Sequence, residues 1–229
     1  MQDLVLRYSP DAPDVLKEIS FDVPPGAKIA IVGPTGSGKS SLFQALQRLV
    51  EPRSGRIIID GQDLSKVGLH DLRSRLYFVP QDPVILSGTL RSVLDVMNEF
   101  TDEEVYASLR AVRLVADDRT SFTNLDMPIG ENGNNLSLGE RQLLCVARAL
   151  LHKSRVVLFD EASSSIDHTT DSQLTQCIHD VFKVSTVLTI AHRLRTVIGY
   201  DRILFLHQGR IVETGTCLLY TSDAADEED

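Results

Sequence analysis

Residues Gly33-Pro34-Thr35-Gly36-Ser37-Gly38-Lys39-Ser40 fit the pattern G-x-x-x-x-G-K-[ST]. Glycines in such a loop let successive backbone N–H groups turn inward on phosphate oxygens, which Cβ atoms would obstruct. A helix that follows aims its N-terminal N–H groups and its dipole at the same anion. Lys39 adds a point charge for the outer phosphates, and Ser40 offers a hydroxyl to magnesium. The binding set predicted here is Gly33, Pro34, Thr35, Gly36, Ser37, Gly38, Lys39, Ser40 and Ser41. A second centre is Val156-Val157-Leu158-Phe159-Asp160-Glu161. Four apolar residues carry Asp160 to the end of a strand, where open α/β sheets bind ligands, so Asp160 is a metal candidate. Glu161, one residue on, is placed to polarise an attacking water as a general base.

These groups need elements to hold them. Lys28–Val32 is a near-continuous apolar run, as in a strand buried on both faces. Ser41–Val50 carries Leu42, Phe43, Leu46 and Leu49 at helical spacing. Leu4–Tyr8 and Ile19–Val23 alternate apolar with polar residues and predict half-buried strands, with turn chemistry in SPDAPD between them. Arg56–Asp60 and Leu76–Val79 are further strand candidates. From about Pro83 to Leu151 the pattern is helical, with helix starts near Thr101 and Ser137. Strand Arg155–Phe159, helix Thr170–Phe182 and strand Thr186–Ile190 follow, and Ile203–His207 with Arg210–Glu213 around Gly209 reads as a hairpin. This alternation predicts an α/β fold: a mostly parallel sheet flanked by helices, with residues 83–151 inserted as a helical subdomain.

Composition narrows the class. Hydrophobic residues make up 42% and charged residues 24%, as in ordinary globular domains. No apolar run approaches the roughly 18–20 residues of a membrane span, and no secretory-type leader opens the chain. The formal charge of −9 argues against a nucleic-acid surface. Five of those charges, Asp223, Asp226, Glu227, Glu228 and Asp229, lie in residues 217–229, leaving −4 elsewhere. The string CLLYTSDAADE resembles the conceptual translation of a transposase-type sequencing adapter, so residues 217–229 are expected to be a non-native tail; a native acidic terminus is the alternative. On the first reading the chain is a fragment, and Met1, with only two residues between it and strand-like LVLRY, fits that expectation. Cys145, Cys177 and Cys217 are scattered without metal-type spacing and predict a reduced intracellular protein.

With these residues in place, the sequence resembles the nucleotide-binding domain of ATP-binding-cassette (ABC) proteins over nearly all of residues 3–216. The singular element is LSLGERQ, residues 136–142, opening a helix shortly before FDE. The resemblance implies a P-loop NTPase core with an antiparallel β subdomain and an inserted helical subdomain, taking ATP and Mg2+. It implies a head-to-tail dimer with a second nucleotide-binding domain, in which Ser137 and Gly139 contact the partner's nucleotide. Residue by residue it assigns Gln81 to magnesium and water, Asp167 to the dimer seam, and His192 to the terminal phosphate. It assigns Tyr8 to stacking on adenine, although a half-buried strand tyrosine needs no such role. Ser137 with Glu140 three residues later also reads as an ordinary helix cap, and both roles can hold at once. The implied catalytic set is Glu161, His192, Gln81 and Lys39, with Ser40, Gln81 and Asp160 on the metal. Gly130-Glu131 resembles the exporter loop that touches the membrane domains.

Leu138 and Glu140 depart from the family's LSGGQ pattern, adding bulk and a negative charge where phosphates would sit. LRYSPDAPDVL, PQDPVILSGTLRSVLD and LSLGERQLLCVARALL resemble the second cassette of the multidrug-resistance-associated (C) subfamily. The expectation is an ATPase that drives transmembrane export from the cytoplasmic face of a membrane, without nucleic acid as a partner. An ATP-clamped regulatory module with little hydrolysis is the other reading, and intact Glu161 favours turnover.

Overall fold

The computed structural model describes residues 1–115, 122–160, 176–191 and 199–216. The chain divides into two units, Met1–Leu76 with Val184 onward, and Tyr77–Lys183. Residues 217–229, the first part of the predicted Thr170–Phe182 helix, and the site candidates Glu161, Asp167 and His192 lie outside the described residues.

The first unit opens with β1 (Gln2–Leu6) and β2 (Leu16–Ile19), followed by β3 (Lys28–Val32) and α1 (Lys39–Leu46). Then come β4 (Ser54–Arg56), β5 (Ile58–Ile59), β6 (Gln62–Asp63) and α2 (Leu69–Arg75). The antiparallel order β2-β1-β4 forms one small sheet, and β5 pairs β6. The predicted strand Ile19–Val23 is corrected to Leu16–Ile19. Between the pairs Leu4–Ile19 and Leu6–Leu16, one residue of β1, Val5, faces two of β2, Lys17 and Glu18, and Glu18 takes φ 55°. That bulge puts Leu16 and Ile19, three apart and both buried, against one core, so strict alternation misplaces the strand.

The same unit ends with β11 (Thr186–Ile190), β12 (Arg202–His207) and β13 (Arg210–Gly215). Here β3 is flanked by parallel partners, β11 on one side and β12 on the other, and β13 returns antiparallel to β12 as the predicted hairpin. Four of the five β3 residues are buried, which explains the unbroken apolar run. Ala30, Val32, Ala191, Tyr200 and Ile203 pack together beside it. The Tyr200 phenol lies 2.8 Å from the Thr189 hydroxyl, and burial pushes its pKa up to about 12.

The second unit begins with β7 (Leu76–Val79), whose first residue is the boundary, and runs through β8 (Gly88–Thr89), α3 (Leu90–Leu94) and α4 (Asp102–Ala111). It continues with β9 (Pro128–Ile129), α5 (Leu138–Leu151) and β10 (Val156–Asp160), which lies beside β7. Residues 176–181 are helical. The stretch read as purely helical holds one antiparallel pairing, Gly88 opposite Ile129 and Thr89 opposite Pro128. Thr101 and Ser137 are N-caps as expected, each completing a capping box, with Glu104 and Glu140 respectively. Arg91 ties α3 to the α4 start. It donates to Asp95 at 3.2 Å, Asn98 at 3.0 Å, Asp102 at 2.9 Å and the Phe100 carbonyl. Burial opposes ionisation of Asp95, but N–H groups of Phe100 and Glu99 and the Arg91 guanidinium outweigh it, holding the carboxyl below the ordinary range.

Candidate functional site

Strand β3 delivers the chain to Gly33, and the loop closes on itself before α1 begins. Ser37 N donates to the Pro34 carbonyl at 3.2 Å, and Gly36 at φ 80° supplies the left-handed third position such a turn needs. From behind, the β12–β13 turn braces the loop: Gly209 N donates to the Ser37 carbonyl at 2.9 Å, while its own carbonyl accepts from Lys17 N at 2.8 Å. At Gly33 a Cβ would stand 2.0 Å from the Leu206 carbonyl oxygen, so this glycine sets how closely the loop approaches β12. At Gly36 a Cβ would meet nothing within 4 Å, which leaves the outer face of the turn open.

Four features of this loop suit a chain of phosphates. Gly38 caps α1 with no side-chain bond, and no acid occupies the first turn, whereas α3, α4 and α5 each carry a capping box. The α1 start therefore has neither the side-chain cap of α3, α4 and α5 nor the first-turn acid that α2 has in Asp71. Lys39 is buried, and its ammonium donates to the Gly33 and Pro34 carbonyls at 2.7 and 3.0 Å. The Ser37 hydroxyl is buried and has no hydrogen-bond partner among the described residues. Finally, Pro34, Thr35, Gly36 and Ser40 are exposed, so solvent reaches this part of the loop. Of the metal candidates, Ser40 in the first unit offers a hydroxyl, and Gln81 and Asp160 in the second offer an amide and a carboxylate. Each is an oxygen donor of the kind a hard cation takes.

Tyr8 was expected inside a strand and half-buried. It lies beyond the end of β1 and is 53% exposed. Its phenol oxygen sits 2.7 Å from Ser41 Oγ and donates to Gln44 Oε1 at 2.9 Å, both on α1. Thus the structure brings Tyr8 together with Ser41 at the start of the phosphate-loop helix. Gln44 escaped the sequence reading, because nothing local links it to a tyrosine 36 positions away.

In the second unit Asp160 is the last residue of β10, as the apolar run predicts. The Gln81 segment follows β7 and is held from α5. Gln142 Nε2 donates to the Gln81 carbonyl at 3.2 Å, and Arg141 lies 3.7 Å from Asp82. Gln142 is buried, so the final residue of LSLGERQ fastens this loop, a role its position in the motif does not announce. At the helix start the box is complete: the Ser137 N–H donates to Glu140 Oε2 at 2.8 Å, and Glu140 N donates to Ser137 Oγ at 3.2 Å. Ser137 is exposed and Gly139 buried. On the same helix, burial pushes the Cys145 thiol up to about 11, leaving it a neutral packing group. Gly130-Glu131 opens a short turn with Glu131 and Asn132 exposed.

A family model described as "ABC transporter" matches residues 16–164. The chain is 49% identical over 214 residues to ABC transporter C family member 13 of Oryza sativa subsp. indica, and 42% identical over 234 residues to the ATP-dependent bile acid permease of Saccharomyces cerevisiae. Each alignment covers 93% of this chain but 14% of the relative. Among solved structures, a bacterial Atm1-family ABC exporter with ATP bound superposes on all of this chain, 41% of that one, with TM-score 0.88 and 34% identity.

Proposed function

We propose, from the fact that this chain belongs to the ABC transporter family, that it is the ATP-binding and ATP-hydrolysing domain of an exporter. It works by ATP-dependent pairing with a second nucleotide-binding domain, beneath transmembrane domains of the same transporter, on the cytoplasmic face. The observation that carries this reading is the α1 start. Among the described helices α1–α5 it alone has neither a side-chain cap nor an acid in its first turn, and it stands behind a glycine turn with a buried ammonium. An uncapped N-terminus beside a fixed cation is suited to a polyanion.

In this reading Lys39 and the α1 N–H groups hold the phosphates, and Tyr8 takes the adenine. Ser40, Gln81 and Asp160 would hold magnesium, which when bound offsets charge on the outer phosphates. Glu161 accepts the proton of the attacking water, and His192 steadies the terminal phosphoryl group as its bond to ADP breaks. Ser137 and Gly139 serve the partner's nucleotide, with Asp167 at the seam. Glu140 supports an asymmetric pair: its carboxylate already occupies the α5 N-terminus, so that end is less receptive to an anion than α1.

The test is a titration of Lys39→Ala with a fluorescent ATP analogue, with circular dichroism as a control for folding. Loss of the loop cation should weaken binding at least about tenfold, the size of a charge-assisted contact. Unchanged affinity in a folded variant would remove the loop as the nucleotide site.

A further inference from the structure

We propose that Ser41 and Gln44 are positioning residues that lock the Tyr8 ring in place before nucleotide binds. The inference rests on the reading of Tyr8 as the adenine platform. Tyr8 stands past the end of β1 and is 53% exposed, so burial does not hold its ring. What holds it is the phenol oxygen, 2.7 Å from Ser41 Oγ and 2.9 Å from Gln44 Oε1. A carboxamide oxygen only accepts, so the phenol proton goes to Gln44. The phenol oxygen then accepts from the Ser41 hydroxyl, giving a directed chain Ser41 to Tyr8 to Gln44.

Ser41 and Gln44 are three residues apart and share one face of α1. Ser41 is buried and Gln44 partly so, which restrains the two anchors themselves. Lys39, two residues before Ser41, begins the same helix and grips the loop carbonyls. One helix therefore carries both the anchors of the ring and the ammonium proposed to meet the phosphates, and the tether sets one against the other. An exposed ring that must be immobilised upon binding loses affinity for that ordering; a ring fixed in advance does not.

The 229-residue chain and its variants are titrated calorimetrically with MgATP and, as a base-free probe, with magnesium tripolyphosphate. Tyr8→Phe keeps the ring but drops both bonds; Gln44→Leu drops one anchor and leaves the phenol intact. Each should weaken ATP about three- to tenfold, the range for one side chain ordered in advance, and leave tripolyphosphate unchanged. The double variant should be no weaker than Tyr8→Phe alone, because both changes break one tether. Tyr8→Ala separates the two ideas. If it weakens ATP while Tyr8→Phe and Gln44→Leu do not, the tether is overturned and the platform stands. If Tyr8→Ala also binds ATP like the parent, the platform reading falls as well. An equal loss for ATP and tripolyphosphate overturns the tether too, since the bonds would then support the loop and not the ring.

Discussion

Glu140 offers a direct way to separate helix capping from anion repulsion at the LSLGERQ segment. In the structure its carboxylate accepts from Ser137 N–H at 2.8 Å while its own N–H reaches Ser137 Oγ at 3.2 Å. Glu140→Gln retains an oxygen for Ser137, so the box survives and stability should change by less than about 0.5 kcal/mol. Glu140→Ala loses that bond and the first-turn charge, at a cost of about 1 kcal/mol, or about 2–4 °C in Tm. The effect on pairing should run the other way. A charge at a helix N-terminus is worth about 0.3–1 kcal/mol, and it competes with any incoming phosphate. In a homodimer both nucleotide sites gain, so Glu140→Gln should tighten ATP-driven pairing about three- to thirtyfold. The assay is sedimentation velocity with ATP in a Glu161→Gln background, compared at low and high salt. The gain should shrink with added salt, because it is partly exposed electrostatics. Tighter pairing from Glu140→Gln with parental Tm would support the argument. Parental pairing at low salt would refute it, whatever happens to stability.

Other expectations are simpler to check. Glu161→Gln, in a protein carrying both cassettes, should retain ATP and lose most turnover; near-parental phosphate release would remove Glu161 as the general base. Gly33→Ala drives a Cβ to 2.0 Å from the Leu206 carbonyl and should cost about 1–3 kcal/mol in urea unfolding. Gly36→Ala, with nothing within 4 Å but φ 80°, should cost about 1 kcal/mol; equal losses at the two positions would contradict the close approach at Gly33. Asp95 has a folded pKa below its unfolded one, so its contribution is present above the ordinary carboxylate pKa near 4 and is lost as pH falls below it. The parent should therefore be more stable than Asp95→Asn at pH 7 by about 1–3 kcal/mol, with the gap narrowing toward pH 3; a constant gap would mean that the carboxyl is not depressed.

What the sequence determined by itself is what neighbouring residues determine. The glycine spacing of Gly33–Ser40, the caps at Thr101 and Ser137, and the strands Lys28–Val32, Leu76–Val79 and Thr186–Ile190 all stand where pattern places them. Each depends on contacts within a turn or on side-chain alternation along one strand, so the information is local. Tertiary structure decided the rest. The Glu18 bulge moved β2 because its pairing with β1 overrides strict alternation. Gly88–Thr89 became strand only by meeting Pro128–Ile129, some forty residues on, an encounter no local window contains. Gln142 found the Gln81 carbonyl 61 positions back, and Gln44 found the Tyr8 phenol 36 positions back. Hydrogen bonds of that separation exist only once the backbone has brought the partners together. The motifs are therefore local in origin, while the fold chose which distant side chains hold the Gln81 loop and the Tyr8 phenol.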